Sequence, residues 1–74
     1  MLHRIIETDS LLAKVDIIDS RYNVIDKEDG KVRGYLHIDK GIGFFSTEYS
    51  MNTYTMKLVT ELINKMEEAY GFQD

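Results

Sequence analysis

The apolar residues of this chain change their spacing once, and that change limits the folds open to it. From residue 11 to residue 48, apolar and polar side chains alternate in short runs, a period of two that indicates half-buried strands. From residue 52 to residue 70 the apolar residues recur every three or four positions, as along one face of a helix. The sequence therefore predicts an α+β fold: a four- to five-stranded antiparallel β-meander with one C-terminal amphipathic helix packed on one face.

Residues with turn chemistry divide the period-two region into strands. Asp19-Ser20-Arg21 interrupts it first, and two stretches that end in glycine, Glu28-Asp29-Gly30 and Asp39-Lys40-Gly41, follow. Each glycine suits the left-handed position at the end of a turn, although a two-residue Asp-Gly turn is an equal alternative for the first stretch. The strands are predicted at about 11–18, 22–27, 31–38 and 42–48; residues 2–8 are a further possible edge strand, with a short helix as the alternative.

The last third of the chain predicts a helix over about residues 52–70. Ser50 or Asn52 can cap its start, because a short oxygen-bearing side chain accepts a backbone N–H that has no partner in the helix. Gly71 is predicted to end it. The apolar stripe that faces the sheet consists of Met51, Tyr54, Leu58, Val59, Leu62, Ile63, Met66 and Tyr70.

A three-residue loop at Asp39-Lys40-Gly41 would fix which side chains share a face of the sheet. Ile38 would lie opposite Ile42 and Leu36 opposite Phe44, so this face is expected to be the core face. The sets on the two faces follow by counting. On the core face Gly34 would face Ser46 and Val32 would face Glu48; on the reverse face the pairs would be His37 with Gly43, Tyr35 with Phe45, Arg33 with Thr47, and Lys31 with Tyr49.

One helix covers only one side of a sheet, so the reverse face is expected to be open. An aromatic pair across two strands can simply stabilise the sheet. Aromatic rings and arginine are also the residues in which binding energy concentrates. The predicted partner-binding residues are Tyr35, Phe45, Tyr49, Arg33, His37 and Lys31.

The sequence predicts a small non-enzymatic interaction or regulatory module that uses this aromatic face. Its partner would be a protein or a second copy of the chain, as a homodimer. The alternative is a module for single-stranded nucleic acid, in which Tyr35 and Phe45 stack on bases beside Lys31, Arg33 and His37. A compact, acidic chain without cysteine is the sort found among small bacterial or phage accessory proteins, and we expect this protein to be one of them.

No pattern in the sequence indicates catalysis, a metal or a cofactor. Lys40 precedes the glycines at 41 and 43, whereas a phosphate-binding loop places Lys-Ser or Lys-Thr after its glycines. His37 and Asp39 would lie on one side of a strand, and Asp16 could approach from another, but a metal needs three or four ligands and no third one has useful spacing. His3 is the only other histidine. We therefore expect no enzyme, no catalytic residues, no metal and no cofactor.

Composition bounds the remaining possibilities. The chain has 74 residues and a formal net charge of −4, and this negative charge argues against general coating of DNA. It has no cysteine, which excludes disulfides and fits a reducing compartment. No apolar run approaches the roughly 20 residues of a membrane span, so no membrane association and a cytoplasmic location are expected. We expect a single domain over residues 1–74. A domain of this size buries only about 60% of its unfolded surface, so it gains stability from a partner.

Overall fold

In the computed structural model, which describes residues 4–40 and 42–70, five antiparallel strands form one sheet in chain order and a helix follows. Each strand pairs with its neighbours in sequence, as in a meander, and the helix packs across one side. The predicted α+β fold is therefore confirmed. The elements are β1 (Ile5–Glu7), β2 (Leu11–Asp16), β3 (Arg21–Asp26), β4 (Val32–Asp39), β5 (Ile42–Ser46) and α1 (Thr53–Tyr70).

β2 ends two residues earlier than the sequence predicts. The carboxylate Oδ1 of Asp16 accepts hydrogen bonds from the backbone N–H groups of Ile18, at 3.1 Å, and Asp19, at 3.3 Å. This local turn competes with the strand ladder, as short acidic side chains often do. Ile17 and Ile18 consequently leave the sheet and are 65% and 93% exposed. Ser20, with φ of 56°, completes the turn into β3.

The turn between β3 and β4 has the predicted left-handed glycine but is longer than predicted, over residues 27–31. Gly30 has φ of 73°, in the left-handed region that glycine adopts without a Cβ clash. Asp26 Oδ1 accepts from Glu28 N–H at 2.8 Å, and Asp29 Oδ1 accepts from Lys31 N–H at 2.9 Å. Lys31 thus belongs to the turn, and β4 begins at Val32.

The loop between β4 and β5 is one residue shorter than predicted, which corrects the facing of β5. Asp39 pairs with Ile42, so the loop is residues 40 and 41. Lys40 has φ of 53°, as the first residue of a tight hairpin turn whose twist matches the sheet; Gly41 lies outside the described residues. Phe45 therefore lies opposite Leu36 and faces the core, whereas Phe44 lies opposite His37 and faces outward.

A β-bulge at Arg33 corrects the facing at the start of β4. Val24 pairs with Gly34, and Ile25 pairs with Val32, so no residue of β3 lies opposite Arg33. An extra residue of this kind reverses the alternation of side chains beyond it. Val32, predicted on the core face, is instead on the opposite side and 39% exposed.

The core forms between the sheet and α1. Asn52 Oδ1 accepts the backbone N–H of Thr55 at 2.8 Å, which confirms one of the two predicted caps; the predicted end at Gly71 lies outside the described residues. Tyr54, placed in the apolar stripe by its spacing, is 67% exposed. Each large buried apolar side chain stabilises the fold by roughly 1.5–3 kcal/mol. The buried residues are Ile6, Leu11, Ala13, Tyr22, Val24, Leu36, Val59, Leu62 and Met66.

Two polar side chains of α1 bind the two edges of the sheet. Lys65 Nζ donates to the backbone oxygen of Glu7 in β1 at 2.6 Å, and Glu67 Oε2 accepts the backbone N–H of Gly43 in β5 at 2.8 Å. Residues two apart on a helix point about 200° apart, so α1 reaches both edges at once. These bonds orient the helix across the sheet and occupy backbone groups that an edge strand would otherwise offer to another chain.

Phe45 lies directly over Gly34 on the core face. A Cβ atom built on Gly34 would be 2.6 Å from Phe45 Cζ and 2.6 Å from the backbone oxygen of Ser46. Both distances are shorter than any ordinary van der Waals contact. The position thus requires glycine because the ring of the facing strand occupies the space.

We predict that Gly34→Ala destabilises the protein by about 1–3 kcal/mol, because the added methyl group overpacks the site. Chemical denaturation monitored by circular dichroism measures the change. The matched control is Gly43→Ala, where the new Cβ would be 3.0 Å from Ile63 Cγ2, a contact that a side chain can relieve. Equal losses in the two variants would contradict the packing of Phe45 on Gly34.

Candidate functional site

The side of the sheet away from α1 carries apolar residues that no other element within residues 4–40 and 42–70 covers. We call this side the outer face; pairing from strand to strand places Ile5, Lys14, Asn23, Tyr35 and Ser46 along one row of it. Large apolar side chains there are well exposed, although interiors and interfaces are where such groups are most stable. They are Ile5 at 55%, Val32 at 39%, Ile42 at 50% and Phe44 at 45%.

Two stacked pairs give the outer face defined geometry. The rings of His37 and Phe44 lie nearly parallel, with centroids 5.2 Å apart and an interplanar angle of 16°. The guanidinium carbon of Arg21 lies 3.6 Å from the centroid of the Tyr35 ring. Arg21 also forms an ion pair with Asp19 at 3.4 Å, and its Nε is buried with no hydrogen-bond partner among the described residues. The face thus combines flat aromatic surface with a cation held in place.

The structure divides the residues that the sequence predicted as one binding surface. Tyr35 and His37 lie on the outer face, as predicted. Phe45 does not, because the shorter loop turns it into the core, and Phe44 takes its place. Sequence reasoning missed Phe44; the signal was the Lys-Gly dipeptide, which fits a two-residue hairpin turn as well as a three-residue one. Lys31 is exposed in the turn before β4, and Arg33 and Tyr49 line a cleft on the helix side.

That cleft lies between the first half of α1 and the ends of β2, β3 and β4, and we call it the α1 cleft. Its volume is about 580 Å³. α1 contacts β1, β2 and β5 most extensively. The floor is apolar, and two exposed tyrosines stand at its rim. The half-buried floor residues include Phe45, Met51 and Leu58, and the rim residues are Tyr49 and Tyr54.

Arg33 is bound within this cleft. Its Nε lies 3.5 Å from Asp26 Oδ2, and its Nη2 donates to Asp29 Oδ2. Its backbone oxygen accepts the hydroxyl of Thr47 at 2.7 Å, which fixes the bulge to the chain that follows β5. The bulge therefore directs the guanidinium away from the outer face and towards two carboxylates.

Lys27, the other cation of the cleft, is also paired. Its Nζ lies 2.8 Å from Glu7 Oε2. The hydrogen bond and the charge of Lys27 hold the pKa of the Glu7 carboxyl below its usual value. Both cations of the cleft are thus compensated by acidic neighbours.

A second cleft, of about 380 Å³, lies at the other end of the sheet. The hydroxyl groups of Tyr22 and Tyr70 form a hydrogen bond there, and their rings meet edge to face with centroids 6.4 Å apart. Burial, with the bond to Tyr70 as a further cause, raises the pKa of the Tyr22 phenol. This bond ties the end of α1 to β3.

We predict that Tyr22 stabilises the fold below pH of about 10, the usual pKa of a tyrosine, and that this contribution is lost as the pH rises from there through the raised pKa. Titration of phenolate absorbance in the folded protein should show one step at unusually high pH. The step should disappear in Tyr22→Phe and persist in Tyr54→Phe, which alters an exposed ring. Its survival in Tyr22→Phe would contradict the assignment.

The described part of the chain shows no metal-binding cluster and no membrane-spanning helix, and comparison with known proteins adds no assignment. In residues 4–40 and 42–70 no three histidine, aspartate or glutamate side chains come together to hold a metal ion, and His3 lies outside those residues. No helix in the same part of the chain has the length and apolar character needed to cross a bilayer. Family models, curated proteins and solved structures were all compared with the chain, and none matches it.

Proposed function

We propose that this protein is a small, non-enzymatic interaction module that associates with a second copy of itself through the outer face of its sheet. The observation that carries the proposal is the exposure of Phe44, Ile42, Val32 and Ile5 on the side of the sheet that α1 leaves open. Burying these side chains against a second sheet removes apolar surface from water, at roughly 25 cal/mol per Å².

The charges on the outer face favour a second copy as the partner. Lys14 and Arg21 stand there among Glu7, Asp16 and Asp39, so cations and anions nearly balance. The whole chain has a net charge of −4, and two copies repel each other across most of their surface. A nearly neutral face reduces that repulsion. A two-fold axis can also place cations of one copy opposite anions of the other.

The size of the face sets the expected affinity. Five strands about 4.8 Å apart, which average about six residues of about 3.3 Å, give a face of roughly 500 Å². Two such faces bury about 1,000 Å² in total, close to the lower limit for a specific interface. We therefore expect a dimer that dissociates on dilution.

Binding of single-stranded nucleic acid is the second candidate, and the stacked rings of His37 and Phe44 favour it. An exposed parallel ring pair offers a flat surface for a base. The cations proposed for this role support it less. Arg33 is engaged by Asp26 and Asp29 on the helix side, and the guanidinium of Arg21 already covers the Tyr35 ring.

We predict that the sedimentation coefficient of the wild-type protein increases with concentration. Phe44→Ser should raise the dissociation constant of the dimer at least about tenfold, because central aromatic residues dominate such interfaces. Met56→Ser is the matched control: Met56 lies on α1 and is 52% exposed, against 45% for Phe44. Circular dichroism of both variants verifies that each remains folded.

Two results would contradict this proposal. One is a wild-type protein that stays monomeric at every concentration. The other is an equal effect of Phe44→Ser and Met56→Ser. Titration with a single-stranded oligonucleotide at two salt concentrations tests the second candidate, since binding that is tight at low salt and lost at high salt is the mark of phosphate contacts.

A further inference from the structure

We propose that the α1 cleft binds a basic amphipathic segment of a partner protein, in which an apolar side chain lies next to lysine or arginine. The cleft is on the helix side of the sheet, opposite the outer face, so this inference does not rest on self-association. The occupant is identified by three properties of the cleft: its apolar floor, its uncompensated carboxylates and its position in the molecule.

The floor and rim match an apolar or aromatic side chain. A volume of about 580 Å³ lies within the range of clefts that hold small molecules or a few side chains. Phe45, Met51 and Leu58 are half-buried and contribute apolar surface to it. Tyr49 and Tyr54 are 61% and 67% exposed beside it, and tyrosine is among the residues that contribute most when an apolar group is buried at an interface.

The unpaired charges of the cleft are negative. Arg33 is neutralised by Asp26 and Asp29, and Lys27 by Glu7. Two further carboxylates line the same cleft, Asp9 and Glu28, and neither forms an ion pair within residues 4–40 and 42–70. An anionic ligand would approach paired cations and free carboxylates, whereas a lysine or arginine next to the buried side chain complements them.

The α1 cleft is separate from the second cleft and from the outer face. The backbone oxygen of Arg4 accepts the N–H of Val15 at 2.9 Å, and Tyr70 bonds to Tyr22. Both lie at the end of the sheet that holds the second cleft. The α1 cleft is at the opposite end, where β2 begins and β3 finishes. Because the α1 cleft and the outer face lie on opposite sides of the sheet, a segment bound in the cleft does not meet a copy bound to the outer face.

The probe is a fluorescent 12-residue peptide in which leucine and phenylalanine alternate with lysine, acetylated and amidated at its ends. The control peptide has glutamate in place of each lysine. We expect the basic peptide to bind, with weaker binding at higher salt because the attraction between exposed charges is screened. Amide chemical-shift changes should fall on Asp26, Thr55 and Leu58 and not on Lys14 or Tyr35.

Two variants test the two halves of the proposal. Tyr54→Ala should weaken binding at least about fivefold by removing rim surface. The double variant Asp9→Asn with Glu28→Gln should weaken it by a similar factor by removing the charges at constant size. All three side chains are exposed, so the fold is retained, and Phe44→Ser should leave peptide affinity unchanged.

Three results would overturn the proposal. The first is equal or tighter binding of the acidic peptide, which the N-terminal dipole of α1 by itself would favour. The second is unchanged affinity in the Asp9→Asn and Glu28→Gln double variant. The third is a set of shift changes centred on the outer face. Sedimentation of Phe44→Ser tests only self-association, and the peptide titration tests only the α1 cleft. The failure of one proposal can therefore be distinguished from the failure of the other.

Discussion

The pairing of Asp39 with Ile42 determines the two surfaces of this small protein. It closes the β4–β5 hairpin with two residues, of which Lys40 is left-handed. Because side chains alternate along a strand, this one choice turns Phe45 towards the helix and Phe44 towards solvent. Phe45 then fills the space over Gly34, while Phe44 stacks on His37. The core and the proposed interface thus follow from the same turn.

The bulge at Arg33 has a comparable effect at the other end of β4. It moves Val32 to the outer face and brings the guanidinium of Arg33 to Asp26 and Asp29 on the helix side. Together with the crosswise course of α1, held by Lys65 at one edge and Glu67 at the other, it leaves the α1 cleft open beside a closed core. A 74-residue chain can in this way present two different surfaces on opposite sides of one sheet.

The fold class could be predicted from the spacing of apolar residues, because that spacing differs between strands and helix and each spacing persists over many residues. The same spacing predicted correctly that Tyr35 and His37 lie on the outer face. The facing of β5 could not be derived, since Lys40 and Gly41 suit loops of two or three residues equally and an error of one reverses every side chain. The bulge at Arg33 depends on a local shift in strand pairing, and the Asp16 turn depends on two hydrogen bonds; neither leaves a periodic signal. Because the two-residue turn and the bulge were not predicted, the predicted partner-binding residues lie on both faces of the sheet.

The contact between Gly34 and the ring of Phe45 tests the two-residue β4–β5 turn most directly. In a nuclear Overhauser spectrum of protein with isotope-labelled phenylalanine, the Hα protons of Gly34 should show strong cross-peaks to the Phe45 ring, and ring currents should displace their chemical shifts. The Phe44 ring should instead give cross-peaks to His37. Cross-peaks from the core-facing protons of β4 to Phe44, with Phe45 contacting only outer-face residues, would contradict the two-residue turn and both surfaces derived from it.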